Sequence, residues 1–142
     1  IAEQVEILGT VRCTNIKVFD NLEEWLKQHI SSISKSCGTE AVVKFRKITP
    51  PVNNDLEVNR VMRTTALKLF GPENVVELQK PSLGAEDFAE FLNYVPGSMF
   101  RLGVAKENNP SPLHSSEFNP DENAIRVGVQ LITQTILKFN NL

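Results

Sequence analysis

The segment Thr49-Pro50-Pro51-Val52-Asn53-Asn54-Asp55 constrains this chain more than any other. Two adjacent prolines supply no donors to a β-ladder, and the Asn/Asp cluster after them favours a turn or a helix cap. A lobe boundary is therefore expected here, dividing the 142 residues into 1–52 and 53–142. That length suits one ordinary domain or two small lobes.

Before the break the pattern reads β-α-β. Val5, Ile7, Val11 and Cys13 alternate with Glu6, Thr10, Arg12 and Thr14, the period of a half-buried strand. A helix should follow, capped by Asp20 with Glu23 in capping-box spacing. Leu22, Trp25, Leu26, Ile30 and Ile33 form its apolar stripe, with His29 at the boundary of the core, and Cys37-Gly38 closes it. Ala41 to Ile48 reads as a second strand.

After the break the pattern reads α-β-α-β-α. A helix is expected from about Leu56 to Phe70, with Val58, Val61, Met62, Thr65 and Leu69 on one stripe and Gly71-Pro72 as its stop. Asn74 to Leu78 and Met99 to Ala105 read as strands. Between them a short helix carries Phe88, Phe91, Leu92 and Val95 inward. Asn119-Pro120-Asp121-Glu122 reads as a helix start. Ile125, Val129, Ile132, Ile136 and Phe139 then form the buried stripe of the last helix. The whole is an α/β or α+β layer structure.

Composition narrows the partners. The chain is 41% hydrophobic and 23% charged with net charge −2, which suits a protein with a core and gives nucleic acid no basic footprint. The one basic cluster, Lys44-Phe45-Arg46-Lys47, alternates as a solvated strand face. No apolar run approaches the ~20 residues of a membrane span. The first residues lack both a signal-peptide pattern and an initiating methionine, so the chain is expected to begin mid-protein. Two cysteines without CxxC spacing suit reduced thiols in the cytoplasm.

Few residues carry chemistry. His114, in Pro112-Leu113-His114-Ser115-Ser116-Glu117-Phe118, has the residue type of a metal ligand or general base. Spacing leaves open the alternative of a surface histidine bonded to its own loop. Arg12 has the fork that grips a carboxylate, or it pairs with Glu6 on the strand face. Glu86 and Asp87 suit either a ligand role or favourable charge at a helix start. A zinc site normally takes three or four protein ligands, and only His114 is a strong candidate here.

Read in order, Val5-Glu6-Ile7-Leu8-Gly9-Thr10-Val11-Arg12, Pro50-Pro51-Val52-Asn53-Asn54-Asp55, Leu83-Gly84-Ala85-Glu86-Asp87-Phe88, Val95-Pro96-Gly97 and Leu113-His114-Ser115-Ser116-Glu117-Phe118 resemble the M20 metallopeptidase family. The resemblance is to its amidohydrolase branch of N-acyl-amino-acid, hippurate and auxin-conjugate hydrolases. It implies that residues 1–52 are the second half (β-α-β) of a ferredoxin-like βαββαβ lid that mediates homodimerisation. It implies that 53–142 are the C-terminal part of a zinc-peptidase-like α/β catalytic domain.

The resemblance also assigns roles. His114 matches the last metal-binding histidine, Arg12 the lid arginine that holds the substrate carboxylate, and Gly84 the backbone lining the substrate pocket. Two divalent metal ions are implied, zinc first, with manganese, cobalt or nickel as alternatives. The substrates implied are N-acyl amino acids or small peptides, with neither nucleic acid nor membrane as partner. The remaining metal ligands, the general-base glutamate and the lid histidine have no counterpart in these residues. The chain alone is accordingly expected to be inactive. The competing reading is a non-catalytic dimerisation or binding module.

Overall fold

The computed structural model describes residues 2–106 and 111–141. The chain divides into two compact units. One comprises Ile1–Asn53 with Gln79–Asn93, and the other Asn54–Leu78 with Tyr94–Leu142.

The first unit is organised by α1, Ile16–Ser36. Its cap is Asn15, whose Oδ1 accepts from the N–H groups of Lys17 at 2.9 Å and Val18 at 3.3 Å. The helix therefore starts one turn before the expected Asp20, which lies inside it. Asn15 takes the cap position because its side chain satisfies two of the donors that a helix start leaves unpaired. The C-terminal end matches the expectation: the Cys37 N–H bonds the Ile33 and Ser34 carbonyls, and Gly38 sits at φ 68°, a conformation that glycine adopts without a Cβ penalty. Val18, Phe19, Leu22, Leu26 and Ile30 are half-buried, but no residue of α1 is fully buried. Trp25, expected in the core, is 45% exposed, and His29 is exposed as well. The short α3, Phe88–Phe91, is anchored by Ala89, while Phe91 points outward, against the expectation that it faces in.

The expected α/β (α+β) architecture, with half a βαββαβ lid, is overturned. The regular elements are helical, and among the described residues no strand is present. Residues 2–14, 39–53, 75–80 and 98–105 are irregular. Period-2 alternation says which side chains could share a face, but a strand exists only through ladder bonds to a neighbour, and an isolated pair is marginal in water. Ile7 is 89% exposed, so the alternating segment around it covers no core.

In the second unit α2, Leu56–Phe70, packs on α4, Asn123–Phe139. The bounds of α2 are those expected. Asp55 caps it, accepting from Glu57 N at 3.0 Å and Val58 N at 2.9 Å, and Gly71 ends it at φ 81°. Val61, Thr65 and Ala66 are its buried residues.

The start of α4 differs from the expectation. Asp121 Oδ1 accepts from Asn123 N at 2.9 Å, while the expected cap, Asn119, accepts from Lys106 Nζ instead. Its buried stripe differs too. Ala124, Gly128, Leu131 and Thr135 are buried, whereas Ile125, Val129, Ile132, Ile136 and Phe139 are all substantially exposed. Small residues let helix backbones approach closely. A Cβ at Gly128 would lie 3.1 Å from Leu102 Cδ2, so a larger residue there would press on that leucine. Periodicity reveals an apolar stripe but not which of two stripes a neighbour covers.

Asn54 ties Met99 to the start of α2. Its Oδ1 accepts from Met99 N and its Nδ2 donates to Met99 O, both at 2.9 Å. Asp55 N adds a bond to Gly97 O at 2.8 Å. From 101 to 106 the residues alternate between exposed and half-buried, so the period-2 pattern survives there as burial without becoming a strand. No helix among the described residues is long and apolar enough to cross a membrane.

Candidate functional site

Arg12 and Gly84 lie 72 positions apart in sequence, and both belong to the first unit. Arg12 Nη1 donates to the Leu83 carbonyl at 3.0 Å. Leu83 immediately precedes Gly84, and the Gly84 N–H bonds Ser82 Oγ at 3.0 Å. A serine accepting from the N–H two residues on closes a tight turn. A Cβ on Gly84 would lie 3.2 Å from that hydroxyl, so glycine keeps the turn closed without crowding.

Arg12 is exposed and is in neither ion pair found among the described residues, Lys27–Glu23 and Arg60–Glu57. Its alternative pairing with Glu6 is thus not formed. A guanidinium carries five donors in a planar fork, and a single carbonyl leaves the remaining donors for an anion. This cation beside a glycine turn is suited to holding a carboxylate.

His114 belongs to the second unit. It is exposed, at φ 65°, a left-handed conformation that costs a non-glycine residue about 1–2 kcal/mol. Turn bonds on either side hold it. Ser115 N donates to Pro112 O at 3.3 Å and Phe118 N to Ser115 O at 3.1 Å, and Glu117 N donates to Ser115 Oγ at 3.1 Å. Glu86 Oε1 accepts weakly from Phe88 N at 3.4 Å, so this carboxylate serves the entry to α3.

Among the described residues no group of three or more His, Cys, Asp or Glu side chains is placed to hold a metal ion. His114 by itself does not make a metal centre, and no chemical step can be derived through a metal from these residues. Sequence reasoning missed Ser82 and the Leu83 carbonyl. A serine two residues before a glycine is a visible turn signal, whereas a backbone carbonyl looks the same at every position until the fold aims it.

The chain belongs to peptidase family M20/M25/M40, whose model matches residues 5–138. It is 35% identical over 141 residues to a probable hydrolase of Synechocystis sp., covering 98% of this chain and 36% of that protein. It is 34% identical over 145 residues to thermostable carboxypeptidase 1 of Saccharolobus solfataricus, covering 99% and 36%. It is 28% identical over 144 residues to N-acetyldiaminopimelate deacetylase of Enterococcus faecalis, again covering 99% and 36%. The chain thus spans about a third of the length of the curated relatives it matches. No solved structure matches it.

Proposed function

We propose that this chain is the substrate-gripping part of a metal-dependent amidohydrolase that cleaves the amide bond of N-acyl amino acids or small peptides. One observation carries the reading: the Arg12 guanidinium is fastened to the carbonyl before Gly84, across 71 positions of sequence. That arrangement sets a bidentate cation beside a stretch of exposed backbone, which suits a substrate with a free carboxylate next to an amide. Two relatives are named thermostable carboxypeptidase 1 and N-acetyldiaminopimelate deacetylase, names that support an amide-cleaving reading.

In this reading Arg12 binds and orients the carboxylate, and the Gly84 turn lies along the acyl-amino-acid backbone. Fixing one end of the substrate lowers the entropy lost in placing the scissile carbonyl. Among the described residues His114 is the candidate ligand for a pair of divalent ions, zinc foremost. A bound metal would supply carbonyl polarisation and an activated water.

The test is kinetic, in the complete enzyme that carries this chain. Arg12→Ala should lower kcat/KM for an N-acyl amino acid about 10²-fold, the loss expected for a charged hydrogen-bonded grip. The corresponding carboxamide should be almost unaffected. Equal losses on both substrates would remove the carboxylate role. Separately, His114→Ala should lower bound metal measured by elemental analysis, and unchanged metal content would refute the ligand assignment.

A further inference from the structure

We propose that Ser82 is a positioning residue for carboxylate recognition, acting through a single peptide plane on the Arg12 guanidinium. This rests on the carboxylate-binding reading of Arg12.

The peptide group between Leu83 and Gly84 is held at both edges. Its N–H donates to Ser82 Oγ at 3.0 Å, and its C=O accepts from Arg12 Nη1 at 3.0 Å. No cis peptide occurs among the described residues, so that N–H and C=O point in opposite directions across one rigid plane. Drawing the N–H towards Ser82 therefore aims the carbonyl away from it, at Arg12. Gly84 is the residue around which such a plane rotates most easily, because it has no Cβ to resist other φ values. The serine hydroxyl supplies the restraint that glycine lacks.

The consequence reaches Arg12 itself. Arginine has a long stem whose rotamers are lost on ordering. One donor fixed on Leu83 O orients the guanidinium plane before substrate arrives and keeps the rest of the fork for a carboxylate. Without the Ser82 hydroxyl the peptide plane is free to turn, the carbonyl leaves Arg12, and each binding event must order the side chain anew. Ser82 touches neither substrate nor reacting atoms in this scheme.

The experiment is a double-mutant cycle in the complete enzyme, using an N-acetyl amino acid and its carboxamide. Ser82→Ala should raise KM for the carboxylate substrate about three- to tenfold, the size of one neutral hydrogen bond. It should leave kcat and the carboxamide kinetics unchanged, and Ser82→Thr should restore KM by returning the hydroxyl. In the Arg12→Ala background Ser82→Ala should have no further effect, because the two residues act as one unit.

An additive loss in the double mutant overturns the proposal, as does an equal loss on both substrates. If Arg12→Ala discriminates carboxylate from carboxamide while Ser82→Ala does not, the Ser82 role alone fails. If Arg12→Ala shows no discrimination, the carboxylate reading fails and the Ser82 role falls with it.

Discussion

The α2–α4 pair and α1 are built from equally clear helical sequence, yet they end in different physical states. In the pair, each helix sinks small and medium side chains: Val61, Thr65 and Ala66 on one, Ala124, Gly128, Leu131 and Thr135 on the other. The two buried threonines bond back to carbonyls in their own helices, Val61 O at 2.8 Å and Leu131 O at 2.7 Å, so burial leaves no polar group unpaired. In contrast, α1 is the longest helix and buries nothing fully. Helix formation is local, but the stability of a helix comes mostly from what covers its apolar face. The contrast separates a segment that has found its packing partner within this chain from one whose apolar face is only half covered.

The largest test of that contrast is a pair of truncations. Leu131 is 5% exposed, and Leu131→Ala should cost ~2–4 kcal/mol, with both the lost transfer term and the cavity left behind contributing. Leu26 on α1 is half-buried, and Leu26→Ala should cost about 1 kcal/mol. Urea unfolding followed by circular dichroism measures both. Equal losses would break the comparison and show α1 to be as well packed as the pair.

A middle-sized effect belongs to Asn54. Its amide makes two bonds to the Met99 backbone in a partly buried setting, so Asn54→Ala leaves a donor and an acceptor unpaired. The expected loss is ~1–3 kcal/mol, against about 1 kcal/mol for Asn15→Ala at the α1 cap. Should Asn54→Ala unfold no more easily than Asn15→Ala, the irregular segment around Met99 is not held by this tie.

What the sequence made legible follows the same division. The bounds of α2 and the glycine ends at Gly38 and Gly71 were readable because caps and stops are local chemistry. The strands were not, because alternation at Val5 to Cys13 shows a preference for two faces and says nothing of a ladder partner. The stripe of α4 was misread for a related reason. Large apolar residues gave the stronger pattern, while the buried positions include Ala124 and Gly128, whose value is the space they do not fill. At the candidate site Arg12 and Gly84 were visible by residue type. Their shared peptide plane through Leu83 was not, since only folding brings position 12 to position 83.

The smallest test uses an interaction present in both regions. Each helix carries one surface ion pair: Lys27 Nζ to Glu23 Oε1 at 2.7 Å on α1, and Arg60 Nη2 to Glu57 Oε1 at 2.6 Å on α2. The hydrogen bond from Lys27 holds the Glu23 carboxyl below its ordinary value of 4.5, and the hydrogen bond from Arg60 does the same for Glu57. Depressed folded-state values mean that the contribution is fully present above the unfolded carboxyl value and is lost as pH falls through the folded one. The difference in urea midpoint between the parent chain and Glu57→Gln should therefore be small at neutral pH and vanish below the ordinary carboxylate range. The same should hold for Glu23→Gln. Both differences should also shrink with added salt, since exposed pairs are screened. Because the pairs are local, their effects should match despite the unequal packing of α1 and α2. A markedly larger effect at Glu23 would mean that α1, lacking a covered face, depends on its surface contacts more than the packed pair does.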